Sequence, residues 1–202
     1  TRTAMYTDSI EQLRGTAPGE ERLRFDVGRL AQYLSGRIPA FAALEVRQFK
    51  GGQSNPTYLV EAGSRSYVLR RKPPGKLLPS AHAVEREYRV MSALAQTDVP
   101  VPRTWCLCED PDVIGTPFFL MDHVAGRVLW DPTLPGMAPP ERRALWLEIN
   151  RVIGALHRVD YRAVGLEDFG RPGNYIARQI ERWTRQYRSS ETERIEAMDN
   201  LI

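Results

Sequence analysis

Apolar residues recur along this chain with two different periods, and the switches between them mark out its elements. In residues 25–34, Val27, Leu30, Ala31 and Leu34 are spaced by threes and fours, which predicts a helix with one buried face. Three strand-like runs come next, at 44–50, 57–61 and 66–71. Gly51, Gly52, Gln53, Ser54, Asn55 and Pro56 fill the first gap and Gly63 and Ser64 the second, so an antiparallel meander is expected. After Pro73, Pro74 and Gly75 the period becomes helical again. Val84, Tyr88, Met91, Leu94 and Ala95 form an apolar stripe, with Ser80 as the expected N-cap. Val99, Pro100, Val101 and Pro102 are extended, because each proline biases its predecessor away from the helical region. Two more strands are predicted over 104–108 and 118–124, joined by a turn at Asp110, Pro111 and Asp112.

A proline-rich connector over 131–140 ends the strand pattern, and the remainder of the chain reads as helix. Pro139 or Pro140 suits a helix start, and Leu145, Ile149, Val152, Ile153 and Leu156 make a 3.6-residue stripe. A second helix over 175–187 is expected to bury Ile176, Ile180 and Trp183. The chain is therefore expected to be α+β: an N-terminal arm over 1–24, a five-stranded antiparallel lobe with one inserted helix over 25–125, and the start of a helical lobe over 126–202.

Composition removes several function classes. With 28 Lys and Arg against 25 Asp and Glu, spread along 202 residues, the chain lacks the concentrated basic patch that nucleic-acid binding requires. No apolar run approaches the ~20 residues of a membrane span. The first thirty residues carry Asp8, Glu11, Glu20, Glu21 and Asp26 where a signal peptide would have an apolar core, so a cytoplasmic location without a membrane partner is expected. Cys106 and Cys108 are one residue apart, poor for a disulfide and poor for zinc, and read as reduced strand residues.

Three features carry candidate chemistry. The turn of Gly51, Gly52, Gln53, Ser54 and Asn55 joins two strands, and its small residues would let backbone N–H groups approach phosphate oxygens. It has neither the three spaced glycines of a dinucleotide fingerprint nor the Gly-Lys-Ser/Thr of a P-loop, and by itself it reads first as a hairpin turn that needs glycine. Strand alternation then places Val68 and Arg70 on one face and Tyr67, Leu69 and Arg71 on the other. On the next helix Glu87 lies on the apolar stripe, three residues after Val84 and four before Met91, whereas Glu85 points elsewhere. A carboxylate so placed needs a cation, and Arg70 is the economical partner.

Glycine turn, strand cation, helix glutamate and two further strands, in that order, resemble the small lobe of protein-kinase-like phosphotransferases. The segments Phe49-Lys50-Gly51-Gly52-Gln53-Ser54-Asn55-Pro56-Thr57-Tyr58, Tyr67-Val68-Leu69-Arg70-Arg71-Lys72-Pro73-Pro74-Gly75 and Arg86-Glu87-Tyr88-Arg89-Val90 resemble the aminoglycoside phosphotransferase family, in the branch associated with acyl-CoA dehydrogenases. Gly115-Thr116-Pro117-Phe118-Phe119-Leu120-Met121 and Arg178-Gln179-Ile180-Glu181-Arg182-Trp183 extend the resemblance. It implies that Gly51, Gly52, Gln53, Ser54 and Asn55 cover the nucleotide phosphates. It also puts Arg70, paired with Glu87, in the place of the usual strand lysine on the face it shares with Val68. Met121, Asp122, His123 and Val124 would form the hinge between lobes, facing the adenine edge. The nucleotide implied is ATP or GTP, used with Mg2+ in the complete protein, and the acceptor is a hydroxyl of a small molecule.

Two further echoes of kinase motifs do not qualify. His157-Arg158-Val159-Asp160 and Asp168-Phe169-Gly170 have the wrong contiguity and spacing for a kinase catalytic loop and metal triplet. They are expected at a helix end and in the loop after it. A His-Gly-Asp catalytic loop and the later magnesium-binding Asp of the resembled family occur nowhere in the 202 residues, so no catalytic or metal residue is assigned in this chain. The expectation is the N-terminal part of a phosphotransferase, inactive alone. The competing readings are a non-catalytic nucleotide-binding or interaction module and a helical scaffold without nucleotide.

Overall fold

The computed structural model of the chain describes residues 15–17, 23–38, 41, 43–50, 55–75, 82–129, 131–170 and 173–201. They divide into two compact units, Thr1–Asp160 and Tyr161–Ile202.

The first unit is built on an antiparallel sheet of β1 (Thr16–Ala17), β2 (Leu44–Phe49), β3 (Thr57–Ala62), β4 (Arg65–Arg71), β5 (Thr104–Cys108) and β6 (Phe118–Asp122), in the spatial order β1-β2-β3-β4-β6-β5. The five strands read from the sequence are present within two residues of their expected ends. The two-residue β1 lies in the segment read as an arm and pairs Thr16 with Phe49. α1 (Val27–Leu34) starts at Asp26, whose carboxylate accepts from the Arg29 N–H at 3.0 Å. Its Leu30 and Leu34 are fully buried, while Val27, expected on the same face, is exposed at the first turn.

Register assigns the two faces of the sheet. Tyr58 opposes Leu69, Val60 opposes Tyr67, and Leu69 opposes Leu120, so these side chains share the face covered by α1. With Leu30, Leu34, Ile38, Ile114 and Phe118 they form the main core. Thr57 opposes Arg70, Leu59 opposes Val68, and Val68 opposes Met121 on the other face. That second face meets α2 (Val84–Leu94), where Tyr88 and Phe119 pack edge to face at 6.0 Å. The helix begins at Val84 with Ala83 as its N-cap, rather than at Ser80, which lies outside the described residues. His82, just before it, has a left-handed φ of 59° and so interrupts any earlier helical run. Where a turn was expected at Asp110, a four-residue helix α3 (Pro111–Ile114) is capped by the Asp110 carboxylate and ends on Gly115 at φ 86°. Its left-handed backbone is the reason for glycine there.

α4 (Pro139–His157) starts on the expected prolines, and the Glu141 carboxylate accepts the Ala138 N–H at 2.9 Å. Only Ala155 of this helix is buried, packing with Leu94 and Val99. Ile149, Ile153 and Leu156, part of the expected buried stripe, are exposed. The second unit contains α5 (Tyr175–Ser190) and the one-turn α6 (Glu196–Asp199), with Asp199 paired to Arg188 and Arg194. Here too the sequence expectation is corrected. Ile176, Ile180 and Trp183 are exposed rather than buried and, with Met198 and Leu201, line an apolar groove of about 350 Å³. Periodicity identifies a face that favours cover, but among the described residues of this unit no layer covers it.

Arg71 shows the same limit of sequence reading in the core. It faces α1 as parity requires, and although it is a charged residue at the strand end it is only 2% exposed. Its Nε donates to the Thr116 hydroxyl at 2.9 Å and its guanidinium carbon lies 5.3 Å from the Phe25 ring centroid. One terminal nitrogen, Nη1, has no hydrogen-bond partner, and burial pulls the guanidinium pKa below its usual value. Cys106 and Cys108 are free thiols of β5. Burial, helped by neighbouring Cys108, pushes Cys106 up to about 11.

Two stability results are expected. Leu69→Ala, a truncation at a fully buried site, should cost about 2–5 kcal/mol in denaturant unfolding. Arg71→Met should stay within about 1 kcal/mol of the parent or exceed it, because it removes a desolvated charge with one unsatisfied nitrogen while the Thr116 hydroxyl keeps its own acceptor, the Lys72 carbonyl. A loss as large as that of Leu69→Ala would show that the buried charge is compensated. The Cys106 thiol, protonated in the folded state beyond the unfolded value of 9.0, should make stability fall between pH 9 and about 11, and Cys106→Ser should flatten that limb of the melting-temperature profile.

Candidate functional site

β4 carries two cations with the same parity, Arg70 and Lys72, the latter just beyond the strand end. α2 offers two carboxylates, also two positions apart, and the elements join through both pairs. Arg70 Nε lies 2.6 Å from Glu87 Oε2, and Lys72 Nζ lies 2.9 Å from Glu85 Oε2. The Arg70–Glu87 pairing matches the expectation from strand parity and helix phase. It is an ion pair rather than a linear hydrogen bond, since Nε itself lacks an aligned acceptor. Lys72–Glu85 was not foreseen. Glu85 does lie off the apolar stripe, but its side chain turns toward the strand end.

Asn55, one of the turn residues singled out from sequence, is 3% exposed and completes the site. Its Nδ2 donates to Glu87 Oε1 at 2.8 Å, so Glu87 meets a cation on one oxygen and an amide on the other. The Asn55 carbonyl accepts the Thr57 hydroxyl at 3.0 Å, and that hydroxyl oxygen accepts from Arg70 Nη1 at 3.3 Å. A closed ring of contacts, Asn55–Glu87–Arg70–Thr57–Asn55, thus links the end of the glycine turn, two strands and α2. His82 extends it, with Nδ1 at 2.9 Å from Asn55 Oδ1. Sequence reasoning missed Thr57 and His82. Thr57 could have been found from its cross-strand register with Arg70, whereas His82 carried no signal because its role depends on a left-handed backbone at the start of α2.

Gly51, Gly52, Gln53 and Ser54 lie outside the described residues. Val68 is 8% exposed, on the same face as Arg70. Met121 and Asp122 end β6. The Asp122 carboxylate accepts from Trp105 Nε1 at 2.6 Å, its N–H donates to the Arg103 carbonyl, and His123 N–H donates to the Ser66 carbonyl. The His123 ring stacks on Phe49 at 6.4 Å between centroids. Val124 is exposed and its N–H has no backbone partner among the described residues. Among the described residues its backbone donor is therefore uncommitted. His157 ends α4 and Asp168 lies in turns of the second unit, the helix end and loop expected for them, and both are exposed.

The arrangement holds the Arg70 guanidinium, about one-third exposed and contacted by Glu87 and Thr57, on a sheet face that also presents Val68 and Met121. A family model described as "Phosphotransferase enzyme family" matches residues 45–202, which include all of these residues. The chain belongs to this family. The fold is the protein-kinase-like one, and the family's function is of phosphotransferase type. A crystal structure of a Ralstonia eutropha protein, described as "a putative aminoglycoside phosphotransferase", superposes with a TM-score of 0.72 at 55% identity, over 88% of this chain and 52% of that one. Acyl-CoA dehydrogenase family member 10 of Mus musculus is 47% identical over 93% of this chain, and the Arabidopsis thaliana probable acyl-CoA dehydrogenase IBR3 is 49% identical over 84%. This chain spans only 18% and 22% of those two relatives. The branch recognised in the sequence is the one to which these relatives belong.

The ring of contacts predicts a measurable coupling. In a double-mutant cycle with Arg70→Met and Glu87→Gln, read out by urea unfolding, the pair should show about 1 kcal/mol of interaction energy, modest because both side chains keep about a third of their exposure. Asn55→Ala should cost more than either single change, since Asn55 is buried and its loss strands Glu87 Oε1 and His82 Nδ1 together.

Proposed function

We propose that this chain is the nucleotide-binding portion of an ATP-dependent phosphotransferase whose acceptor is a hydroxyl group of a small molecule. The observation that supports the reading most is the ion pair between Arg70 and Glu87, braced by Asn55 and Thr57. Arg70 can meet a phosphate oxygen because Glu87 and Thr57 together use only part of the five N–H donors of its guanidinium. Glu87 and Asn55 hold it in place, so little side-chain entropy remains to be lost when an anion arrives.

Val68 and Met121 provide the apolar part of the same face, suited to the underside of a purine. Val124, with its uncommitted backbone donor, suits the polar edge of that ring. Gly51, Gly52, Gln53 and Ser54 are assigned to the phosphates by the family resemblance. Mg2+ bound with the nucleotide would supply charge neutralisation at the transferred phosphoryl group, and no ligand for it is assigned among these 202 residues. The chain's own contribution is to bind and orient. Catalytic loop and metal ligands are assigned to a longer parent protein.

The test is MgATP titration by calorimetry together with a phosphate-transfer assay, on this chain and on the longer parent. The chain should bind weakly and transfer nothing, whereas the parent should bind more tightly and phosphorylate a hydroxylated acceptor. Arg70→Ala in the parent should raise the nucleotide Kd about tenfold or more through the lost charge-assisted contact. Turnover by the short chain would overturn the division of labour. A folded parent with no nucleotide affinity would favour a non-catalytic interaction module instead.

A further inference from the structure

His82 stands out among the residues around the site because two independent observations converge on it. Among the described residues it is one of three non-glycine residues with positive φ, at 59°, a conformation in which an L side chain crowds its own backbone. Its ring is also hydrogen-bonded to Asn55, the buried residue that meets Glu87. Held backbone strain persists where surrounding contacts over-determine it. Here the contact is identifiable.

The chemistry of the pair sets its direction. Asn55 Nδ2 donates to the Glu87 carboxylate, and turning the amide over would bring its oxygen against that carboxylate. Oδ1 therefore faces His82, and because Oδ1 only accepts, His82 Nδ1 must carry the hydrogen. The Glu87 carboxylate thus sets which way the Asn55 amide points, and the imidazole, donating to Oδ1, secures the amide in that place. The amide in turn fixes one oxygen of Glu87, and the other oxygen fixes Arg70.

We infer that His82 is a positioning residue for nucleotide binding: through Asn55 and Glu87 it holds the Arg70 guanidinium in its phosphate-binding orientation. The left-handed backbone at His82 serves to bring the ring under Asn55 at the point where the chain enters α2. This rests on the reading of Arg70 as the phosphate-binding cation. It adds a residue outside both the glycine turn and the hinge, acting through a neutral amide rather than by touching the nucleotide.

Three substitutions in the longer parent protein separate positioning from bulk stability. His82→Gly removes the ring and also relieves the positive φ, so its melting temperature should stay close to that of the parent while the Kd for MgATP rises about three- to tenfold, the worth of one hydrogen bond. His82→Ala keeps the strained backbone and should lose both stability and affinity. His82→Asn tolerates the left-handed region and presents an amide donor, and it should recover most of the affinity lost in His82→Gly. In the nucleotide-free parent, a long-range ¹H–¹⁵N spectrum of the imidazole should show the Nδ1–H form. If His82→Gly binds MgATP as well as the parent, or if His82→Asn binds no better than His82→Gly, the positioning role is overturned even though the nucleotide site stands. If the imidazole shows Nδ1–H but the unmodified parent binds no MgATP, the contact is real, while the nucleotide reading and the role built on it fall together.

Discussion

A charge placed between a sheet and a helix is the constraint around which this fold is arranged. Arg70 and Glu87 are each about one-third exposed, so each loses much of its hydration and each requires the other. The opposition is repeated one step along, where Lys72 meets Glu85. Two cations of equal strand parity meet two carboxylates on a helix, and positions two apart on a helix diverge by about 200°. The carboxylates therefore approach the strand from either side of the helix, which restricts both the rotation and the axial position of α2 over the sheet. Apolar contacts such as Tyr88 on Phe119 add affinity between the two elements but less directional information.

Consecutive arginines on one strand have opposite fates. Arg70 is used as a charge, with a carboxylate and a hydroxyl around it and nitrogens to spare. Arg71, one residue on, is enclosed by Phe25, Thr116 and the backbone carbonyl of Lys72, with no acidic partner among the described residues. Alternation along a strand separates the two by half a turn, so one chemical type serves a site on one face and enters a core on the other. Thr116 makes the second environment tolerable by accepting from Arg71 while donating to the Lys72 carbonyl. That hydroxyl also stitches the end of β4 to the residue pair preceding β6.

Asn55 shows how a site can be stiffened without adding charge. A third ionic group beside Arg70 and Glu87 would need its own counter-charge, whereas an amide donates to the carboxylate and accepts from a histidine with no change in net charge. Because Asn55 comes directly after the glycine-rich segment and is separated from β3 by one residue, tethering it fixes the chain direction into the strand that carries Thr57. The acidic and basic side chains are then held by neutral neighbours, each with geometrically defined donors and acceptors.

Local pattern determined much of this chain because strand alternation and helical period act within a few residues. The five main strands, the helix carrying Glu87, the opposed faces of Arg70 and Arg71, and the Arg70–Glu87 pairing are all consequences of those two periods. Family resemblance supplied the roles proposed for Val68, Met121 and the hinge, which periodicity alone does not contain. Contacts between residues distant in sequence, and backbone states with no compositional signal, required the folded chain. His82 under Asn55 joins positions 27 apart through a left-handed residue, and Arg71 is buried by groups drawn from α1's approach and the turn before β6. The exposed Ile176, Ile180 and Trp183 mark the same boundary from the other side. A sequence period states which face of a helix favours burial, but only the tertiary arrangement decides whether anything lies against it.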